Sequence, residues 1–322
     1  MFRRIPIIEE RTISFMNQYL KTAAVALIAT AMTACSGIGS SLPGPSQSNT
    51  GGSMAKSGVD TSKVVIMRTF NGATHDVSPN AHLTYRNGAV QRAARIYVIY
   101  WGFNASGSDP SGEQTYMTNF LTGVGGSTWN SVDHQYYQIV GGITKHIRNA
   151  VGQLKGTWVD TTSIPSAPTD AQIQQAAARG VAHFGFFRDA SYVVATSHLH
   201  NSSGFGTQYC AYHGSFSNGG NLVSYTNMPY ITDAGQSCGQ NFVNFGNAGL
   251  LDGVSIVEGH ELSESQTDPN PPSGWYDSLN GEIGDICAWL KPPAADITLT
   301  TGTFAVQGLW SNKSNKCSIT GP

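Results

Sequence analysis

The stretch from residue 252 to residue 287 restricts the fold of this 322-residue chain more than any other. Val254, Ile256, Val257 and Leu262 alternate with Ser, Glu and His, a composition that a helix starting near Asp252 accepts. Asp268-Pro269-Asn270-Pro271-Pro272 then forbids helix, because proline lacks the amide donor and clashes with the preceding turn. The helix has to stop near Thr267. The chain turns and returns through Gly281-Glu282-Ile283-Gly284-Asp285-Ile286-Cys287.

On that helix His260 and Glu264 stand at i and i+4, which puts imidazole and carboxylate on one face, one turn apart. The segment His260-Glu261-Leu262-Ser263-Glu264 is the zincin-like H-E-x-x-H arrangement with Glu in place of the second His. Zn²⁺ accepts imidazole nitrogen and carboxylate oxygen, keeps a position for water and lowers that water's pKa towards ~7. Glu261, beside the first ligand, is the candidate base. A third ligand must come from the returning segment. Glu282 is the first choice, with Asp285 supporting His260; the alternative exchanges their roles. An acidic pair on a helix is ordinarily solvated, but this chain has only 20 acidic residues, and Glu258, Glu261, Glu264 and Asp268 crowd around one His. Like charges one turn apart destabilise a helix unless a cation compensates. Several carboxylates together also suit Ca²⁺.

His213 lies three residues after Cys210 and is a candidate transition-state donor or further ligand. His198 and His200 alternate, as on a strand edge, and are weaker candidates for a shared metal. The remaining histidines carry no supporting context. Four cysteines, Cys210, Cys238, Cys287 and Cys317, permit three connectivities; the expected pairs are the neighbours in sequence, Cys210–Cys238 and Cys287–Cys317. No C-x-x-C occurs, which disfavours a thiolate zinc site. The second bridge would tie the chain's tail to the returning segment and contribute roughly 3–4 kcal/mol by restricting the unfolded chain.

The start of the chain reads as a targeting segment. Arg3, Arg4 and Lys21 precede an apolar run over 22–32, too short for a bilayer, which takes about 20 residues. A start at Met16 gives the more compact leader. Met32-Thr33-Ala34-Cys35 resembles the lipobox of bacterial lipoproteins, which implies cleavage before Cys35 and acylation of its thiol; Ser36 after it fits an outer-membrane destination, and plain secretion is the alternative. Residues 36–63, rich in Gly, Ser and Pro, read as a flexible tether. The organisation expected is a lipoprotein-type signal over 1–35, a tether over 36–63 and one domain over 64–322.

Charged residues make up 12% of the chain, against a usual share of about 25%. The net charge of −2, with no basic stripe, disfavours nucleic acid as a partner. Residues 95–102 and 191–196 are β-branched and aromatic and read as buried strands. Helical spacing predicts helices over 113–124, 127–140 and 170–178, the last stopped by Gly180. Residues 201–249 read as loops and short strands, and 297–310 as a hairpin. The fold class expected is α/β or α+β, a single domain with a mixed sheet and a metal-binding helix.

Arg95-Ile-Tyr-Val-Ile-Tyr-Trp-Gly102, Tyr209-Cys-Ala-Tyr-His213, His260-Glu-Leu-Ser-Glu264, Thr267-Asp-Pro269, Gly274-Trp-Tyr276 and Glu282-Ile-Gly-Asp-Ile-Cys287 follow one another in order. Together they resemble the pattern of the plant Exordium, or phosphate-induced, family and its bacterial relatives, over roughly 95–318. The resemblance implies an extracellular location and a cell-wall or secreted role, and no particular reaction. Three functions are left in play. The first is an exported zinc-dependent hydrolase, a metallopeptidase acting on peptide or a cell-envelope polymer. The second is a non-enzymatic surface protein with a structural metal or a binding site. The third is a glycosidase using Glu261 and Asp285 without metal.

Overall fold

The computed structural model describes residues 64–73 and 75–322. The expected signal over 1–35, the acylation site Cys35 and the tether over 36–63 lie outside the described residues. Among those residues no helix is long and apolar enough to cross a membrane.

The centre is a six-stranded mixed sheet built from β1 (Val64–Arg68), β2 (Arg95–Trp101), β3 (Leu154–Asp160), β4 (Ala190–Thr196), β5 (Tyr209–Asn218) and β6 (Asn221–Met228), in the spatial order β1-β5-β6-β4-β2-β3. β2, β3, β4 and β6 run parallel, while β5 is antiparallel to both β6 and β1. The two central strands expected from sequence are β2 and β4, and both are buried along nearly their whole length. Side chains of β2 alternate between faces, as a pleated strand requires. Ile96, Val98 and Tyr100 enter one core, and Tyr97, Ile99 and Trp101 enter the other.

Helices cover both faces. α2 (Asp170–Phe184) covers one with Ile173, Ala176 and Ala177. α1 (Glu113–Val124) and α3 (Asp252–Thr267) cover the other with Phe120, Leu121, Val254, Val257 and Leu262. α1 has the expected bounds, and Asp109 caps it by accepting from the amides of Glu113 (2.7 Å) and Gln114 (3.2 Å). α2 begins with a capping box at Thr169 and Gln172, but it runs past the expected stop. Gly180 lies inside it, because a side chain there would meet Ile99 of β2.

Two other expectations need correction. Residues 127–140 form a short 3₁₀ turn, Asn130–Gln135, and then a strand, Tyr137–Val140, paired with Ile143–His146. The double glycine at 141 and 142, both at positive φ, makes the tight turn that a helix would have needed to avoid. Residues 201–249 hold two long strands of the main sheet, β5 and β6, joined through Gly219 and Gly220. The hairpin expected near the C-terminus pairs Ala295–Leu299 with Gly302–Val306. It packs on α3, where the Ser255 hydroxyl donates to the Ala305 carbonyl at 2.6 Å. Both expected disulfides are present, with Cα separations of 5.4 Å for Cys210–Cys238 and 5.7 Å for Cys287–Cys317.

Candidate metal centre

Every residue of α3 is buried, although its sequence is largely polar. Such a helix has to satisfy its polar groups inside the protein. Some find ordinary partners: Asp252 accepts from the amides of Val243 and Asn244, Ser255 bonds Ala305, and the Thr267 hydroxyl donates to the Ser263 carbonyl. Ser263 Oγ and Ser265 Oγ lack a partner, and so does one atom each of Glu258, His260, Glu261 and Glu264. Glu258 Oε2, His260 Nε2, Glu261 Oε1 and Glu264 Oε2 are buried without a hydrogen-bond partner.

The returning segment supplies further acids. Glu264 Oε1 lies 3.0 Å from His260 Nε2 and accepts the Asp285 amide at 3.1 Å. Asp285 Oδ1 lies 3.7 Å from the same His260 Nε2. His260, Glu264 and Asp285 thus converge closely enough to hold one ion. The two residues expected from the return part ways, Asp285 beside His260 as its expected partner and Glu282 away from it. Glu282 turns to the other histidine, with Oε2 3.4 Å from His213 Nε2. The cause is the tight turn between them, in which the Glu282 amide donates to Asp285 Oδ2 at 3.1 Å. Gly281 and Gly284 allow this turn: a Cβ on Gly281 would collide with the Asp285 side chain, and one on Gly284 would lie 2.6 Å from His260 Nδ1.

Gln307 fixes the His260 ring. Its amide nitrogen donates to the carbonyls of Gly284 (2.9 Å) and Gly308 (3.2 Å), so its Oε1 must face His260 Nδ1, 3.3 Å away. An oxygen there requires the proton on Nδ1. In a neutral ring the lone pair of Nε2 is then aimed at two carboxylates.

His213 comes from β5, opposite Val65 of β1, and is brought beside α3. Its Nδ1 lies 3.2 Å from Glu261 Oε2 and 3.4 Å from Glu264 Oε2, and its Nε2 lies 3.3 Å from the Asp268 carbonyl. His213, Glu261 and Glu264 form a second convergent group that shares Glu264 with the first. The weaker candidates have separate Nδ1 partners: His198 pairs with Asp233 (2.5 Å) and His200 bonds the Pro165 carbonyl.

The charges respond to this crowding. Burial pushes Glu264 up, but His260 and His213 outweigh it and hold the carboxyl at about 2. Burial and then Glu264 raise Asp285 to about 7. Burial, assisted by Glu264, lifts Glu282 well above the carboxylate range. Burial depresses His260, yet Glu264, Glu261 and Asp285 carry it to about 9. His213 goes the same way, its burial overcome by Glu282, Glu261 and Glu264. Without a cation, protons must hold these groups together. His213, His260, Glu261, Glu264 and Glu282 are wholly buried, and Asp285 is the one of the six with solvent access, its side chain 20% exposed. Asp285 lines a cleft of about 690 Å³ whose other walls include β1, His75, Tyr276, Leu279 and Trp289.

Comparison of the chain with protein-family models, curated proteins and solved structures finds no match.

Proposed function

We propose that the chain is an exported zinc-dependent hydrolase, a metallopeptidase whose substrate is a peptide or a peptide-containing cell-envelope polymer reached through the Asp285 cleft. The observation that carries this proposal is the direction of the His260 Nε2 lone pair. Gln307 holds a proton on the far nitrogen, so when the ring is neutral the near one is bare, with Glu264 and Asp285 3.0 and 3.7 Å from it. Three electron-rich atoms pointed at one another favour a cation between them. An imidazole in the set suits Zn²⁺ better than Ca²⁺, which prefers oxygen ligands throughout.

His260, Glu264 and Asp285 would hold the ion, with Gln307 orienting His260 and the Asp285 amide orienting Glu264. Bound there, the ion supplies Lewis acidity, acidifying a water and polarising a carbonyl. Glu261 Oε1, which has no partner, takes the proton and passes it to the leaving group. With no cation beside it, a protonated His213 donates from Nδ1 to Glu261 Oε2 and holds Glu261 in place, which makes it a positioning residue. The two disulfides fit an oxidising compartment. The lipobox-like Cys35 and the Exordium resemblance support export to the cell envelope with an N-terminal lipid anchor.

One observation favours a second function, a structural metal in a non-enzymatic surface protein: Glu261 is 0% exposed, so a substrate must open the site to meet it. Elemental analysis of the purified chain at low free zinc separates the possibilities. The expected result is one tightly held equivalent, lost in Glu264→Ala and kept in Glu261→Gln, with peptide-hydrolysing activity lost in both. Zinc retained in Glu261→Gln with no hydrolysis by the wild type favours the structural role; a wild type without metal defeats both.

A further inference from the structure

The His213 pocket repeats the logic of the His260 pocket. The Asp268 carbonyl, 3.3 Å from His213 Nε2, can only accept, so that nitrogen carries the proton. In a neutral ring the Nδ1 lone pair then faces Glu261 Oε2 at 3.2 Å and Glu264 Oε2 at 3.4 Å. The two oxygens of Glu264 divide between the pockets, Oε1 towards His260 and Oε2 towards His213. A bridging carboxylate between two metal ions has this arrangement. Glu261 Oε1 and Glu264 Oε2 are fully buried and lack hydrogen-bond partners around the second pocket. Charge points the same way. Five carboxylates, those of Glu261, Glu264, Asp268, Glu282 and Asp285, surround two imidazoles. With all five ionised, one divalent ion leaves three negative charges and two leave one.

We propose that His213, Glu261 and Glu264 form a second divalent-cation position, with Glu264 bridging it to the first. Resting on the hydrolase proposal, this assigns the second ion an inhibitory role. Glu261 cannot ligate a cation through Oε2 and remain an equally strong base at Oε1, so filling the second position suppresses proton transfer. The one-ion form is the working form and the two-ion form is silenced.

The test begins with the full chain stripped of metal by a chelator and titrated with Zn²⁺ by calorimetry, with bound zinc counted at each plateau. The wild type is expected to take up two equivalents, the second at least tenfold weaker than the first. His213→Gln is expected to keep the tight equivalent and weaken the second at least a hundredfold. Cobalt needs no variant: two Co²⁺ ions bridged by Glu264 couple, so the paramagnetic resonance of the first equivalent diminishes as the second binds. One equivalent at saturation overturns the second position and leaves the hydrolase proposal standing, whereas no zinc at all defeats both. Two equivalents retained in His213→Gln, or two cobalt ions without coupling, would show that the second ion binds elsewhere.

Discussion

Gln307 has no charge and belongs to no motif, yet it decides which nitrogen of His260 is free. Its amide is anchored by two backbone carbonyls, and its oxygen leaves His260 no choice of tautomer. Replacing it with leucine, of similar volume, keeps the packing but releases the ring. Partners of this kind are typically worth 10–100-fold in metal affinity. Gln307→Leu is therefore expected to weaken zinc binding by about that factor, measured by competition with a chromophoric chelator. An unchanged affinity would mean that Gln307 does not orient the ligand. Gly284 acts through space alone. A methyl group there would lie 2.6 Å from His260 Nδ1 and 2.8 Å from two other atoms of the same ring, and would push the imidazole out of place.

Elements were legible in proportion to how locally they are determined. α1 carries its own apolar stripe, and its bounds follow from that spacing. β2 and β4 are dense in β-branched and aromatic residues. The β5–β6 hairpin was hidden because Tyr, Ser, Asn and Gly dominate it, and its strand character comes from pairing with β1 and β4. In the site, the cluster of His260, Glu264, Glu282, Asp285 and His213 stands out in a chain poor in acids. Which acid faces which histidine does not, since a three-residue turn and two glycines decide it. Gly180 shows the same limit, reading as a helix stop when it is a point of close approach. Alanine there would gain about 1 kcal/mol of helix propensity. Its Cβ would lie 2.6 Å from Ile99 Cδ1 in a packed core, and overpacking costs about 1–3 kcal/mol. The crowding should win, and Gly180→Ala is expected to lower the denaturant midpoint by a net 0–2 kcal/mol equivalent. A midpoint raised by the substitution would place the helix farther from β2.

At the scale of the whole molecule, the buried acids and histidines tie stability to pH and to metal together. Asp285 is raised to about 7 and Asp268, chiefly by burial, to about 6, while Glu282 and Glu258 stand well above the usual range. Between their unfolded and folded pKa values, these carboxyls bind more protons in the folded state, so stability falls as pH rises. His260, raised to about 9, and His213, raised well above 6.5, contribute stability that is complete below 6.5 and lost as pH climbs through their folded values. Glu264, held at about 2, acts oppositely, but its contribution disappears only as pH falls from about 4.5 to 2. The metal-free chain should therefore be most stable below about pH 4, where the raised carboxyls are protonated in both states, and lose stability steadily from there to pH 9, at up to about 1.4 kcal/mol per pH unit for each group titrating. Zinc reverses the trend, because the ion takes the place of protons and binds more tightly as they leave. At a thousandfold excess over Kd it adds about 4 kcal/mol, roughly 10 °C in the melting temperature of a domain this large. Thermal scans from pH 5 to 9, with chelator and with zinc, should diverge as pH rises. Parallel curves would mean that the protons and the metal do not share these ligands, and the site would lose its physical basis.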